Sequence, residues 1–301
     1  MQPLLVVITG PTAVGKTELC VKIAQHFNTE IISADSRQFY KELSIGTAKP
    51  TLEEMKNIPH HFINNLSISE EYNANDFEKE ALKLLEQLFQ KHKIVILTGG
   101  SGLFIDALCN GFDIDLPGAD KNIRVELENL YNKYGIEILQ EKLKQLDPEF
   151  YKEIDLSNIK RLYRAIEVCI ISKKPYSLLR HGKPQERPFK TLKIALNRDR
   201  DELFDRINKR VDIMIENGLI EEVKSVINYK KHNALKTVGY TELIEHIDGD
   251  TSLEKAIENI KTNTRRYAKK QINWFNKDND YKWFHPDELN SIIEYIKLNI
   301  N

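Results

Sequence analysis

The chain has 301 residues and a formal net charge of −1, with 41% of its residues hydrophobic and 30% charged; this is a folded globular profile, with material for one large domain or two smaller ones. Cys20, Cys109 and Cys169 form no CxxC pair, which argues against a disulfide framework or structural zinc and fits a reducing, cytoplasmic compartment. No stretch approaches the ~20 uninterrupted apolar residues of a membrane span.

The opening MQPLLVVITGPT is apolar only briefly, lacks a basic leader and runs into glycine, so it reads as a strand and not a signal peptide. LLVVIT (4–9), EIIS (30–33) and IVILT (94–98) are short, β-branched and almost wholly apolar, as expected of parallel strands covered on both faces. Helical patterns at 17–27 and 76–92 alternate with them, which is the α/β signature. After about Phe112 the pattern becomes helical over 120–134, 136–146 and 158–172, the last with Ser157 as its expected N-cap. Segment 174–190 holds three prolines, five Lys/Arg and one histidine, and predicts an exposed return loop. TLKIALN (191–197) returns the chain to the sheet; helices follow at 200–216, 219–229 and 253–275, then a short YKWF strand and a last helix. The predicted organisation is a P-loop parallel-sheet α/β core, 1–112 and 191–301, flanked by helices and interrupted by an all-helical insertion, 113–190.

The near-zero net charge is unevenly spread. Between Lys160 and Arg210 there are fifteen Lys/Arg against six Asp/Glu, and KTNTRRYAKKQ (261–271) adds five basic residues with no acid. Either this is scattered solvated charge, or it forms a phosphate-binding face.

Gly10-Pro11-Thr12-Ala13-Val14-Gly15-Lys16-Thr17 fits GxxxxGK[ST] in full, directly after a strand and before a helix. Glycines let backbone N–H groups approach phosphate oxygens, Lys16 adds a point charge, and the Thr17 hydroxyl can ligate Mg²⁺. A chance match in ~300 residues has a probability on the order of one per cent. This is the ATP- and nucleotide-binding loop pattern, but it recognises a diphosphate whatever its source. ATP-hydrolysing proteins usually add a strand ending in a metal-binding aspartate, whereas IVILTGGSG (94–102) ends in threonine and glycine. Asp35 follows the second strand, where ligands sit in open parallel sheets. It could be a proton acceptor opposite the phosphate loop or simply the N-cap of a helix.

Several segments together resemble the bacterial tRNA dimethylallyltransferases, the tRNA delta-2-isopentenylpyrophosphate transferase family. They are GPTAVGKT (10–17), SADSRQFY (33–40), IGTAKP (45–50), IPHHFI (58–63), GGSGLFIDAL (99–108), RLYRAIEV (161–168), RINKRVDIMIENGLIEEV (206–223), VGYTE (238–242) and TRRYAKKQINWF (264–275), in family order over nearly the whole chain. The resemblance implies transfer of a dimethylallyl group from dimethylallyl diphosphate to the N6 amine of the adenosine 3′-adjacent to the anticodon. It implies Asp35 as general base, Lys16 and Thr17 on the diphosphate and its Mg²⁺, and Arg210 on the donor. For the anticodon stem-loop it implies Asp35, Ser36, Arg37, Gln38, Ser101, Arg124, the stretch Ile159, Lys160, Arg161, Leu162 and Tyr163, and Lys236. Ser101 and Phe104 stand where the family more often has threonine and tyrosine, Lys160 where glutamine is common, and Asn276 where arginine is frequent. A monomer without membrane attachment is expected, and without cysteine after Cys169 no zinc finger of the kind found in eukaryotic relatives is expected.

Tyr267, Trp274 and Phe275 could stack on bases, although such residues in a helical pattern are more often core. The His60–His61 pair reads as structural, since zinc needs three or four ligands. Two other activities use the same loop: a small-molecule kinase, and transfer to free adenine nucleotides. An RNA-binding module without chemistry would leave Lys16, Thr17 and Asp35 unexplained.

Overall fold

The computed structural model describes residues 2–111, 116–180 and 185–300. Among these, contacts divide the chain into two compact units, Met1–Cys109 with Arg187–Asn301, and Asn110–Glu186. The expected boundary at 112/113 falls outside the described residues. The expected return at 191 does not hold, because Arg187 forms an ion pair with Glu78 at 2.6 Å and Phe189 is buried in the first unit. A segment read as an exposed loop from its prolines and basic residues is therefore anchored at its C-terminal end.

The first unit begins with β1 (Leu4–Thr9), α1 (Lys16–Phe27), β2 (Ile31–Ser33), α2 (Leu52–Met55), β3 (His60–His61), α3 (Ala74–Leu88), β4 (Ile94–Gly99) and α4 (Gly102–Asn110). The second unit contributes α5 (Lys121–Tyr134), α6 (Glu137–Leu146), α7 (Pro148–Glu153), α8 (Ile159–Ser172) and α9 (Tyr176–Leu179). The chain then re-enters the first unit with β5 (Lys190–Leu196), α10 (Arg200–Glu216), α11 (Leu219–Ser225), α12 (Tyr240–Ile247), α13 (Leu253–Phe275), β6 (Lys282–Phe284) and α14 (Leu289–Leu298). No helix among the described residues is long and apolar enough to cross a membrane.

The strand order is β3-β2-β4-β1-β5-β6, with every pairing parallel. Alternation along the strands separates two cores. Leu4, Val6 and Ile8 of β1 join Ile94, Ile96, Ile194 and the apolar side of α1 on one face, while Leu5, Val7, Val95, Leu97 and Ala195 meet α3, α4 and Phe275 on the other. Both faces are covered, which is why these strands are continuously apolar and not alternating. A third cluster, from Tyr40 and Leu43 to Leu219, Tyr240 and Ile260, joins the segment after β2 to the helices from α10 to α13.

The second unit has its own apolar core, built on Leu127, Leu139, Leu143, Phe150, Leu162 and Ile166. The N-cap of α8 is Asn158, whose side chain accepts from Arg161 N; Ser157 instead turns its hydroxyl back to Asp155. The helix expected over 219–229 ends at Ser225 and continues as a 3₁₀ turn, Ile227–Tyr229. The helix expected from 76 starts at Ala74, because Asn73 and Asp76 form a capping box one turn earlier. His61 is an edge-strand residue whose Nε2 lies 2.6 Å from Glu30 Oε2, consistent with a structural role for the histidine pair.

Candidate active site

The phosphate loop connects β1 to α1 through backbone conformations that side chains disfavour. Gly10 has φ 146° and Gly15 φ 110°, and a Cβ on Gly10 would lie 2.6 Å from Leu196 O, so only glycine fits there. Ala13 also takes a positive φ of 64°. Gly15 caps α1 without a side-chain acceptor, so the first N–H groups of that helix have no capping oxygen of their own and the dipole favours an anion there.

Lys16 of the loop itself and three groups from outside, Arg206, Arg198 and Gln271, hold it. Lys16 Nζ folds back to donate to Gly10 O at 2.9 Å and Pro11 O at 2.8 Å. Arg206 Nε donates to Ala13 O at 2.8 Å, and Arg198 Nε donates to Val14 O at 2.9 Å. Thr12 N donates to Gln271 Oε1 at 2.8 Å, while Gln271 Nε2 donates to Gly100 O at 2.9 Å. The buried Gln271 amide of α13 thus bridges the phosphate loop to the turn after β4. The arginines tie the Ala13 and Val14 carbonyls, while Thr12 N is given to Gln271 and Val14 N to Pro11 O, so an anion would be met by the amides at the α1 end of the loop.

Asp35 follows β2, at the carboxyl ends of the strands. Close packing of β2 on β4 needs Gly99, where a Cβ would come 2.3 Å from Ala34 O. The Asp35 Oδ1 accepts from Arg37 N at 3.1 Å in a turn two residues on, and no helix starts there, which removes the helix-cap alternative. Ser36 N donates to Ser101 Oγ at 3.0 Å, so Ser36 and Ser101 are paired beside the carboxylate.

A cavity of about 690 Å³ opens at this point, lined by Thr12 of the phosphate loop, Asp35, Ser36, Arg37 and Arg210. The rest of its wall comes from the loop Gly46–Ala48, from Val211 and Met214 of α10, from the 236–242 segment, and from α13 between Ile260 and Lys270. Arg210 projects from α10, the helix whose Arg206 anchors the phosphate loop. Burial raises the Asp35 pKa; the Arg37 N–H and the Lys16 charge oppose this without cancelling it. Burial likewise lowers Lys16 to about 8, with Asp35 pulling it up and Arg210 pushing it further down. Arg210 is lowered by burial and by Arg206, while Glu54 and Asp35 oppose the change. Asp35 and Arg210 share the cavity wall and Lys16 is desolvated within electrostatic reach of both, the arrangement expected of a site that binds an anion and moves a proton.

The second wall is set by a clamp the sequence reading missed. Glu222 of α11 accepts from three successive backbone amides, Ser44 N (2.9 Å), Ile45 N (2.8 Å) and Gly46 N (3.0 Å), and from the Tyr240 hydroxyl at 2.5 Å. Gly46 lies against the Tyr240 ring, where a Cβ would come within 2.5 Å. Through the same loop Gln38 is fixed, its Nε2 donating to Thr47 O at 3.2 Å and Ala48 O at 3.3 Å. Replacing Glu222 with Gln is expected to cost about 2 kcal/mol, since bonds to a charged acceptor contribute about 1.5–3 kcal/mol. A thermal scan should then show Tm lower by several degrees; an unchanged Tm would remove Glu222 as the clamp.

Of the residues expected to contact tRNA, Asp35, Ser36, Arg37 and Lys236 line the cavity, and Ser101 joins them through Ser36. Gln38 does not; its amide is used by the Thr47–Ala48 loop. Arg124 and Ile159–Tyr163 belong to the second unit. There Lys160 and Arg161 are exposed. Arg124 is half-exposed but directs its guanidinium to the fully buried Glu167, at 2.8 and 3.1 Å. Leu162 is corrected: it is fully buried in that unit's apolar core, as its position on the inner face of α8 requires, and its side chain cannot meet RNA. Among the aromatics, only Phe275 is core; Tyr267 and Trp274 are exposed.

No cluster of three or more His, Cys, Asp or Glu side chains among the described residues could hold a metal ion. The end of β4 offers Thr98, whose hydroxyl donates to Ile8 O at 2.9 Å. Thr17, at the start of α1, is the residue that would hold a Mg²⁺ at this loop, an ion that commonly takes only one or two protein ligands.

A family model described as IPP transferase matches residues 38–278. A tRNA dimethylallyltransferase of Christiangramia forsetii is 52% identical over 302 residues, covering 100% of both chains. The tRNA dimethylallyltransferase 1 of Bacteroides thetaiotaomicron is 48% identical over 296 residues, 98% of this chain and 96% of the relative. Among solved structures, the full-length tRNA isopentenylpyrophosphate transferase of Bacillus halodurans superposes with TM-score 0.75 at 37% identity, covering 100% of this chain and 97% of that one. A eukaryotic dimethylallyltransferase acting on tRNA gives TM-score 0.80 at 28% identity, covering 96% of this chain and 75% of that one.

Proposed function

The chain belongs to the IPP transferase family, and from that premise we propose that it moves a dimethylallyl group from dimethylallyl diphosphate to the N6 amine of the adenosine 3′-adjacent to the anticodon of tRNA. The observation that carries the reading is one cavity onto which Thr12 of the phosphate loop, Asp35 and Arg210 all open. Relatives named tRNA dimethylallyltransferase support the transfer of that group to tRNA.

The donor diphosphate docks on the loop amides and Lys16, with Arg210 on the cavity side. The Thr17 hydroxyl would hold Mg²⁺, which when bound would supply positive charge to the departing diphosphate. The C1–O bond of the donor breaks, the N6–C1 bond forms, diphosphate leaves, and one N6 proton passes to the Asp35 carboxylate. The adenine amine is a weak nucleophile, so removing its proton as the bond forms matters. Lys16, Arg210 and the amides are fixed before charge develops on the leaving oxygen, and so need no reorganisation. A target base stacked in an RNA loop cannot reach Asp35; it must be extruded into the cavity, with Arg37 and Lys236 beside its backbone. The cavity volume of about 690 Å³ lies within the range of sites that enclose small molecules, enough for a base and a five-carbon chain.

Incubation with labelled dimethylallyl diphosphate, Mg²⁺ and either bulk tRNA, AMP or ATP tests this. Label should enter tRNA alone. Label in the free nucleotide, or phosphate transfer from ATP, overturns the reading.

A further inference from the structure

Helix α13 turns one stripe toward the catalytic loops, with Tyr267, Gln271 and Trp274 at positions i, i+4 and i+7. Gln271 is the buried bridge between the phosphate loop and Gly100. Tyr267, one turn earlier, lines the cavity and is 40% exposed. Trp274, one turn later, is 43% exposed, and the transfer chemistry makes no use of it.

This indole is exposed but fixed. Its Nε1 donates to Asp106 Oδ2 at 2.9 Å. The ring lies so close to Gly102 that a Cβ there would fall 2.3 Å from the indole nitrogen. Gly102 directly follows Ser101, the residue that holds Ser36 beside Asp35. The indole therefore sits on the same turn that builds one side of the catalytic centre. Its own helix is basic around it, with Arg266, Lys269 and Lys270 all exposed and Arg266 and Lys270 reaching the cavity wall.

We infer that Trp274 is a stacking platform for an unpaired base of the RNA, a neighbour of the nucleotide that enters the cavity. The inference rests on the proposed function. A ring held by a hydrogen bond and a glycine contact loses little conformational freedom on binding, which is how rigid aromatic anchors contribute affinity. A base presents a π-face to it, and the flanking cations meet the phosphates. A protein partner would be expected to find an uncharged surround at the centre of its contact, whereas this ring has the exposed Lys270 one helical turn before it and the Asp106 carboxylate on its nitrogen.

The chain has two tryptophans, Trp274 and Trp283, so fluorescence reports on the platform directly. Titration with an unmodified anticodon stem-loop RNA should quench wild-type emission, and Trp274→Phe should abolish that quench. In steady-state transfer, Trp274→Leu should raise KM for the stem-loop about tenfold, within the range reported for losing one base–aromatic stack, with KM for the donor unmoved. Trp274→Phe, which keeps a ring, should stay within about threefold of wild type in that KM. A quench that survives in Trp274→Phe, or a stem-loop KM in Trp274→Leu within twofold of wild type, overturns the platform. Should Trp274→Leu fail to fold, the comparison of wild type with Trp274→Phe decides alone. Wild-type transfer to the stem-loop is the control that separates the two readings. Its absence would sink the proposed function, whereas its presence with indifferent Trp274 variants would sink only the platform.

Discussion

Replacing Asp35 with Asn is expected to lower kcat by about 10²–10⁴-fold, the usual contribution of a positioned base, while tRNA affinity stays within a few-fold. The amide preserves the shape and can still accept from Arg37 N, the contact that holds the turn in place. What it loses is the capacity to take a proton. Burial raises the carboxyl pKa above its ordinary range, which makes Asp35 a stronger base than a solvated aspartate. The sign of the pH dependence follows. The ionised form exists above the pKa, so kcat should fall as pH drops through a value higher than that of a solvated carboxyl. The acid limb should vanish in Asp35→Asn. A variant that binds RNA ten times more weakly yet turns over at the wild-type rate would remove Asp35 as the base.

The parts of this site legible in the sequence were those encoded locally. β1, the phosphate loop and the start of α1 occupy fourteen consecutive residues, Leu4–Thr17, and their apolar run, glycine spacing and lysine each express a local constraint. Asp35 was legible because a strand end is a local feature and the position of ligands in open parallel sheets is general. The supports were not. Arg206 meets Ala13 across 193 residues, Gln271 meets Thr12 across 259, and Glu222 reaches Ser44 across 178. Nothing in any one segment announces a partner that far away. One signal existed for Gln271: it shares a buried stripe with Ala268 and Phe275 at i, i+3 and i+7, and a polar side chain in an apolar stripe must have a hydrogen-bond partner. Leu162 came from the resemblance, which carries a contiguous stretch and does not sort its inward from its outward side chains, and Trp274 was left open between core and surface. Helical periodicity predicts a face, and whether that face is covered depends on neighbours the sequence does not place. The edge strand His60–His61 is only two residues long and carries no alternation to detect.

Lys16→Ala is expected to reduce kcat/KM for dimethylallyl diphosphate by about 10²–10³-fold, the scale measured when one preorganised donor to a developing anion is removed. The residue has two tasks. Its ammonium holds Gly10 O and Pro11 O, which fixes the entry to the loop, and it places a positive charge where diphosphate must bind. Burial, with Arg210 nearby, lowers its pKa to about 8 even though Asp35 pulls the other way. The cation exists below that value, so donor KM in the wild type should rise as pH passes about 8, and a bound diphosphate should delay the rise by stabilising the charged form. In Lys16→Ala the alkaline rise should disappear, leaving a high and flat KM. In the proposed transfer Arg210 meets the same leaving group, so the double replacement should lose less than the product of the single losses, because groups that act as a unit do not contribute additively. RNA affinity should change little in any of these variants, since Lys16 belongs to the loop that receives the donor. A kcat/KM for the donor within fivefold of wild type, or a KM still rising above pH 8 in Lys16→Ala, would show that another group carries the charge that titrates there.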